Sequence, residues 1–191
     1  MFLQSIASGL LLAGLAAAQA ATPPGFSPEV KERLDVVFGT KVVTVPGTSL
    51  AKAETGKQPT IGTSDVALNG TYVWLLIDQD VPSNFQNPSA GARRTNLHAL
   101  ISGFKATGQT VNGVFTLASS STGPITYTGP APPAENPPYA HRYVSLLYET
   151  TSTFTVSRTQ VGQTFGFNLA TFVTAAALGK PIRGSYFNVT G

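Results

Sequence analysis

Residues 72–77 form an uninterrupted apolar run of Tyr, Val, Trp, Leu and Ile that ends abruptly at an acidic, proline-containing segment, residues 78–82. A short apolar run bounded by such residues is typical of a strand. Residues 97–102 and 142–148 have the same character, and residues 185–189 fit a last strand. Loops rich in Ser, Asn, Gly and Pro separate these segments. The pattern predicts one mainly β domain.

Two segments are typical of peripheral helices. Residues 27–38 open with a Ser-Pro-Glu start signal, and their apolar side chains recur at helical spacing until a glycine ends the segment. Residues 168–178 begin at Asn168, a residue type that caps helices, and are followed by a glycine. Residues 41–45 predict a short strand, and residues 46–64 predict a polar connection without regular structure.

Composition excludes several classes of site. The 191 residues contain no cysteine, which removes disulfides, zinc ribbons, iron–sulfur clusters and thiol nucleophiles. Charged residues make up 11% of the chain, and the net charge of +3 is scattered, so we expect no nucleic-acid partner. The sequence lacks the zinc-protease, phosphate-loop, dinucleotide and nucleophile-elbow motifs. We therefore expect no metal and no cofactor, and the motifs assign no catalytic residue.

Residues 1–20 are typical of a secretory signal peptide. They contain no charged side chain, include a short apolar run and end in Ala-Gln-Ala, which resembles a cleavage site. The run is shorter than the roughly 20 apolar residues of a membrane-spanning helix, so we predict no transmembrane span, and an N-terminal anchor is the alternative. The sequence thus predicts a secreted protein whose folded domain covers residues 21–191. Asn69 and Asn188 lie in N-glycosylation sequons, which agrees with a secretory route.

Polar residues within or beside the strands are the candidates for a site. His98 and His141 are the only histidines, and each lies in a strand-like segment. An unpaired buried polar group costs about 2 kcal/mol or more, so each imidazole either has a structural partner or lines a cavity. Strand alternation places His141 and Tyr143 on one face. Asp78 and Asp80 either satisfy the amides of a turn or belong to the same site.

Several elements of the sequence resemble the signatures of the phosphatidylethanolamine-binding protein family, and they occur in the family's order. Residues 78–83, Asp-Gln-Asp-Val-Pro-Ser, resemble Asp-Pro-Asp-x-Pro-Ser, and residues 94–98 resemble Arg-x-x-x-His. Residues 129–133 and 141–143 resemble Gly-x-x-Pro-Pro followed by His-Arg-Tyr. Residues 167–186 are similar to the family's C-terminal segment around Leu-Gly-x-Pro. The chain most resembles a secreted, fungal-type member.

The resemblance implies a β-sandwich-like domain, with a large central sheet beside a smaller one and a few peripheral helices. It also implies a pocket for phosphate and other small anions. The implied ligand-binding residues are Asp78, His98, Gly129, Pro132, His141 and Tyr143, with Gly129 and Pro132 in the loop wall. Since Arg142 lies on the opposite strand face, we expect it to form a structural ion pair with Asp80.

Three departures from the family pattern predict a different ligand preference. Gln79 replaces the proline between the two motif acids, and Asn96 replaces an aromatic residue two positions before the pocket histidine. The loop over residues 133–141 carries two additional prolines and is longer than in the animal members.

The predicted function is to bind a small anion, either a phosphate headgroup of a lipid or a carboxylate. Imidazole groups donate hydrogen bonds to anionic oxygens, and a neighbouring carboxylate raises their pKa or fixes their tautomer. An Asp–His pair can also transfer protons, so an enzyme or accessory protein is the alternative. The resemblance suggests such a role in fungal secondary metabolism, where maleic-anhydride polyketides dimerise to maleidrides with a partner cyclase. A further alternative is an inhibitor that binds a protease.

Overall fold

The computed structural model describes residues 19–191, so the predicted signal peptide lies outside the described residues except for its last two positions. In the described part of the chain, three long strands form the centre of the fold. The strands are β1 (Asp35–Phe38), β2 (Lys41–Val42), β3 (Thr48–Leu50), β4 (Thr60–Thr63), β5 (Thr71–Pro82), β6 (Arg93–Val111), β7 (Val114–Ala118), β8 (Pro124–Ile125), β9 (Ala140–Thr150) and β10 (Arg183–Thr190). The helices are α1 (Arg158–Val161) and α2 (Leu169–Ala175), and a 3-10 turn covers Lys52–Thr55.

Strand β6 takes part in two sheets. Its first part pairs with β5 up to Phe104, and its second part pairs with β7 from Lys105 onward. Gly103 lies at this transition with φ of +78°, a conformation that glycine adopts without steric cost. The first part of β6 joins a central sheet with β5, β9, β10, β3 and β8, and the second part joins a smaller sheet with β7, β4, β1 and β2. Together they form one continuous, curled sheet.

Two buried clusters lie on opposite faces of the central sheet. The inter-sheet core contains side chains from both sheets, such as Trp74 of β5 and Ile61 of β4. The helix-side core lies on the other face and includes Val161 of α1 and Phe172 of α2. Because the two sheets share one core, the domain is sandwich-like and mainly β, as predicted.

Strand β5 is apolar without interruption because both of its faces are buried. Alternate side chains, Tyr72, Trp74 and Leu76, point into the inter-sheet core, and the residues between them point into the helix-side core. Each large apolar side chain buried in this way contributes about 1.5–3 kcal/mol. The indole N–H of Trp74 donates to the Ser145 hydroxyl of β9 at 2.6 Å, so its polar atom also has a partner.

The long strands and the C-terminal helix are confirmed. Four of the five predicted strands lie inside β5, β6, β9 and β10 and are shorter than the observed ones. Asn168 caps α2, since its Oδ1 accepts a hydrogen bond from the Thr171 amide at 3.0 Å, but the helix ends at Ala175, before the predicted residue 178. Among residues 19–191, no helix combines the length and the apolar character needed to cross a membrane.

The helix predicted over residues 27–38 is wrong. The chain there is irregular until Leu34, and β1 then pairs with β2 and β4. The apolar residues do not share one face: Val30 lies in the helix-side core, whereas Leu34 and Val36 lie in the inter-sheet core. Burial on two different faces and strand pairing therefore override the local helical pattern.

The prediction of an unstructured connection over residues 46–64 is also wrong. This segment contains β3, the 3-10 turn and β4, and the predicted strand at residues 41–45 is reduced to the two residues of β2. The hairpin formed by β7 and the second part of β6 was not predicted at all. These strands are short or exposed on one side, so they lack the apolar runs that reveal buried strands.

Candidate functional site

Three neighbouring strands bring the predicted site residues together at one end of the central sheet. Asp78 of β5 pairs in register with Asn96 of β6 and with Tyr143 of β9. His98 and His141 lie two residues along from these partners. Side chains on paired strands that lie this close come into contact. The four predicted pocket side chains, Asp78, His98, His141 and Tyr143, are buried with exposures between 1% and 7%.

The imidazole of His141 lies between two carboxylates. Its Nδ1 is 2.8 Å from Oδ2 of Asp78, and its Nε2 is 3.1 Å from Oε1 of Glu135. Ionised carboxylates only accept hydrogen bonds, so both ring nitrogens donate and the ring is an imidazolium. Burial opposes this charge, but the hydrogen bonds and negative charges of Asp78 and Glu135 outweigh burial and raise the pKa of His141.

Glu135 is the loop residue that completes this contact. Its two carboxylate oxygens each accept a hydrogen bond from the guanidinium of Arg93 at 2.7 Å, which is a bidentate pair. The Glu135 side chain is only 1% exposed, whereas that of Arg93 is 21% exposed. The hydrogen bond from Arg93 is the largest influence on Glu135. Together with that of His141, it outweighs burial and lowers the pKa of Glu135 to about 2.

The Arg93 side chain lies between the loop and the strands. Its Nη1 also donates to the backbone carbonyl of Asp80 at 3.0 Å. The guanidinium carbon is 4.0 Å from the centroid of the Tyr139 ring, a cation–π distance. Arg93 therefore connects the end of β5, the start of β6 and the loop that carries Glu135.

His98 is held in a different protonation state from His141. Its Nδ1 is 2.9 Å from the carbonyl oxygen of Thr128, and its Nε2 is 3.2 Å from the amide nitrogen of Asn96. A carbonyl accepts and an amide N–H donates, so the ring is neutral with its proton on Nδ1. Burial lowers the pKa of His98 and outweighs the opposing hydrogen bond to Thr128 and charge of Asp78. Since protein groups occupy both nitrogens, His98 must change partners before it can donate to an anion.

Tyr143 lies between the two histidines. Its ring meets that of His98 edge to face at a centroid distance of 5.2 Å, and it stacks with His141 at 6.5 Å and with Phe187 at 5.5 Å. Burial and the neighbouring charge of Asp78 raise the pKa of Tyr143, so its hydroxyl stays protonated. The aromatic contacts hold both imidazoles in one cluster.

The two predicted loop residues, Gly129 and Pro132, lie between β8 and β9. A Cβ on Gly129 would be 3.0 Å from the carbonyl oxygen of Thr55 and 3.1 Å from Cα of Gly56, so this position requires close approach of two backbones. Pro132 is buried. Their placement positions the loop, and the loop side chain that reaches His141 is that of Glu135.

Asp80 forms the ion pair with Arg142 that the sequence predicted. Its Oδ2 accepts from the backbone amide and from Nε of Arg142, both at 2.8 Å, and its Oδ1 accepts from Nη2 at 2.6 Å. The Asp80 side chain is 1% exposed and that of Arg142 is 34% exposed. Both residues lie on strands, so the pairing of β5 with β9 is sufficient to bring them together.

The sequence left open whether residues 78–80 form a turn or belong to the site, and the structure shows features of both. The segment remains part of β5, although its pairing with β6 is irregular between Asp78 and Val81. One carboxylate oxygen of Asp78 accepts from the Asp80 amide at 2.8 Å, which is a turn-like contact, and the other accepts from His141. Asp78 therefore satisfies local backbone and orients the imidazole at the same time.

Three residues of this cluster were not singled out as site residues. The sequence patterns point to neither Glu135 nor Arg93, and they mark Asn96 only as a departure from the family pattern. Glu135 is one of nine acidic residues in the chain, and it lies in a proline-rich loop that carries no strand or helix periodicity. A single acidic residue in a proline-rich loop is the one feature that could have indicated Glu135, but the sequence does not show that its side chain contacts His141.

The cluster is balanced in charge. The carboxylates of Asp78 and Glu135 oppose the imidazolium of His141 and the guanidinium of Arg93. Such an arrangement can hold a carboxylate and can transfer a proton along the Asp78–His141 pair. Within residues 19–191, no three His, Cys, Asp or Glu side chains are placed to hold a metal ion.

The two sequons differ in their surroundings. Asn69 is exposed just before β5. Asn188 is partly buried in β10, and its side-chain amide donates to the carbonyl of Gly47 at 2.9 Å. Glycosylation at both positions remains a prediction.

Comparison with known proteins agrees with the fold and the motifs. The sequence matches the model of the phosphatidylethanolamine-binding protein family over residues 39–187. It is 30% identical to phomoidride biosynthesis cluster protein N of Talaromyces stipitatus, with 98% of each chain covered.

Two solved structures share the fold. A phosphatidylethanolamine-binding protein from Plasmodium vivax superimposes with a TM-score of 0.59 at 19% identity, covering 87% of this chain and 91% of that one. A carboxypeptidase Y inhibitor, solved in complex with its cognate proteinase, has a TM-score of 0.59 at 17% identity, covering 84% of each chain. The family match extends over most of the chain and includes the strands that carry the histidine cluster, so the chain belongs to the phosphatidylethanolamine-binding protein family.

Proposed function

We propose that this protein is secreted and binds a small carboxylate-bearing anion in a secondary-metabolite pathway. The binding site is the cluster of Asp78, His98, His141 and Tyr143, extended by Arg93. The observation that carries this proposal is the contact of His141 and Arg93 with the carboxylate of Glu135.

The donor geometry favours a carboxylate. The planar guanidinium of Arg93 presents two parallel N–H groups, which match the two oxygens of a carboxylate. The Nε2 of His141 supplies a third donor from β9, which lies on the other side of β5 from β6. Charge-assisted hydrogen bonds contribute about 1.5–3 kcal/mol each, so these donors give useful affinity when the anion also contacts the buried aromatic side chains.

The near full-length relative supports the choice of pathway. Its name places it in a phomoidride biosynthesis cluster, and it covers 98% of this chain. The resemblance to fungal members of the family suggests a maleidride pathway, and the maleic-anhydride groups of such compounds hydrolyse to dicarboxylates. Phosphate of a lipid headgroup shares the anionic oxygens but is tetrahedral, and the experiment below separates it from carboxylates.

Isothermal titration calorimetry tests the proposal with maleate, inorganic phosphate and vesicles containing phosphatidylethanolamine. We expect maleate to bind more tightly than phosphate, and we expect Arg93→Ala and His141→Ala to abolish maleate binding. Arg94→Ala is the matched control, because Arg94 is exposed and adjacent in sequence. Unchanged maleate affinity in the His141→Ala variant contradicts the proposal, and preferential binding to the vesicles assigns the site to lipid headgroups.

Secretion is tested separately. Mass spectrometry of the protein recovered from the culture medium of a fungal host should give an N-terminus at Ala21. Retention of the full-length chain in the cells contradicts secretion without affecting the proposal for the binding site. Inhibition of a carboxypeptidase, measured in the same preparation, tests the further alternative of a protease inhibitor.

A further inference from the structure

We propose that Glu135 is an internal ligand of the binding site, which an incoming carboxylate must displace from Arg93 and His141. This inference rests on the proposed function and adds a residue that sets the apparent affinity of that site for anions. The proline-rich loop, residues 129–139, would then act as a cover that the ligand releases.

The surroundings of Glu135 set it apart within its loop. Ala134 and Asn136 on either side are exposed, as are Pro137 and Pro138, whereas the Glu135 side chain is almost completely buried. A carboxylate is buried only when charged or hydrogen-bonding groups compensate for the loss of water. Arg93 and His141 provide that compensation through three hydrogen bonds of 2.7–3.1 Å.

The loop has few other polar attachments. Residues 126–139 belong to neither helix nor strand. Within the described chain, residues 134–139 make two hydrogen bonds besides those of Glu135. The Tyr139 hydroxyl donates to Oδ1 of Asp80 at 3.5 Å, and the Ser89 hydroxyl donates to the carbonyl of Asn136 at 3.3 Å. Loops with few such contacts open at low free-energy cost. Release of Glu135 therefore does not require any strand pairing to break.

Displacement leaves a site that is suited to a carboxylate. Without Glu135, the negative charge of Asp78 faces the positive charges of His141 and Arg93, so the emptied site carries one net positive charge. The Tyr143 hydroxyl and the Asn96 amide lie on the neighbouring strands. The emptied site thus offers an incoming anion the donors that Glu135 vacates, with further polar groups close by.

The tether of Glu135 sets a threshold of affinity that an incoming anion must exceed, because it lowers the apparent affinity of every competing anion by the same factor. A side chain on a short loop competes at an effective concentration in the millimolar range or above, so a free monocarboxylate that makes only the same contacts binds poorly. A dicarboxylate gains because its second group can contact the remaining polar residues. We therefore expect maleate to be preferred over acetate.

Calorimetry with maleate, acetate and inorganic phosphate tests this inference on the wild-type protein and on Glu135→Gln. The matched control is Glu149→Gln, which removes the same charge from an exposed position on β9. If the open state is populated to about 10% or less, freeing the donors raises the apparent affinity for maleate about tenfold or more. We expect this gain in Glu135→Gln and no gain in Glu149→Gln. Glu135→Asp, which keeps the charge but shortens the side chain, should give an intermediate gain.

A second measurement follows the loop itself. Saturating maleate should increase amide hydrogen exchange over residues 129–139 of the wild-type protein, since binding releases the loop. The double variant Glu135→Gln/His141→Ala should lose the gain in affinity, which shows that the freed donors are responsible. Thermal unfolding of each variant checks that the domain remains folded.

The outcomes separate this inference from the proposed function. If the wild-type protein binds maleate through His141, but Glu135→Gln binds it no more tightly than Glu149→Gln does, the internal-ligand role is wrong and the proposed function stands. If none of the three anions binds to either the wild-type protein or Glu135→Gln, the proposed function is wrong and this inference is wrong with it. Slower hydrogen exchange in the loop on maleate binding also overturns the inference.

Discussion

Two acidic residues of the same strand, Asp78 and Asp80, have partners of different kinds. Asp80 pairs with Arg142 through three hydrogen bonds, and both residues lie on strands of the central sheet. Asp78 pairs with His141, but the other side of that imidazole is held by Glu135, which comes from a loop. A pair formed between strands is fixed by the sheet, whereas a contact made by a loop can exchange. The first pair therefore stabilises the fold, and the second is suited to a site that binds and releases a ligand.

The largest expected loss of stability follows from breaking the ion pair between Asp80 and Arg142. Arg142→Ala leaves the buried Asp80 carboxylate without its cation, although the backbone amide of residue 142 still donates to it. Because the Arg142 side chain is itself 34% exposed, we expect a loss of about 3 kcal/mol, at the lower end of the range for breaking a buried pair. Urea denaturation should show this loss in the free energy of unfolding, with Arg94→Ala as the exposed control. A loss below about 1 kcal/mol would mean that the pair behaves like a surface ion pair. It would contradict the claim that this pair stabilises the fold more than the contact of Glu135 does.

The loop contact should contribute less to stability. Glu135→Gln removes the negative charge, but the amide oxygen of glutamine can still accept a hydrogen bond from Arg93, and His141 keeps its contact with Asp78. We expect a loss of about 1–2 kcal/mol in the same denaturation experiment, smaller than that of Arg142→Ala. A loss as large as that of Arg142→Ala would indicate that Glu135 is a fixed structural residue.

The two histidines predict stability changes of opposite sign with pH. The pKa of His98 is lowered, so the unfolded chain binds more protons below its ordinary value of about 6.5, and stability rises with pH there. The pKa of His141 is raised, so the folded protein binds more protons above about 6.5, and stability falls as pH rises towards the folded pKa. The groups around His141 are Asp78, Glu135, Arg93, Tyr139 and Tyr143.

Chemical denaturation across this range should therefore show a maximum of stability near the unfolded pKa of histidine, about 6.5. His141→Gln should remove the fall on the alkaline side while leaving the rise on the acidic side. NMR titration assigns each pKa directly, because the chain contains only two histidines. A His141 that titrates below His98 would contradict the contacts with Asp78 and Glu135.

The smallest expected effect is at Asn96, the polar partner of His98. Asn96→Asp places a carboxylate about where the amide lies, 3.2 Å from Nε2 of His98, and should raise the pKa of that histidine. The stability slope below about pH 6.5 should then flatten, and the change should be visible by NMR and by denaturation. Asn84→Asp in the exposed segment between β5 and β6 serves as the control. An unchanged His98 pKa would show that Asn96 does not contact the ring in solution.

Sequence patterns predicted an element correctly where the pattern depended on the residues of that element alone. The apolar run of β5, buried on both faces, and the capped helix α2 were recognisable without knowledge of the rest of the fold. The segment from Ser27 to Phe38 was not, because its apolar residues enter two different cores and only strand pairing reveals β1. The short strands of the smaller sheet had no distinct pattern because they are short or exposed on one side, so they lack long apolar runs.

The amino-acid sequence by itself determined that the chain folds into a mainly β domain, and that Asp78, His98, His141 and Tyr143 lie within or beside its strands. Alternation and the family motifs are local properties, so they can be read along the chain. Only the tertiary structure decided the protonation of the two imidazoles, because that depends on which acceptors and donors other segments bring within 3.2 Å. It likewise decided that Glu135 reaches the site, since an irregular loop has no periodicity to predict where its side chains point.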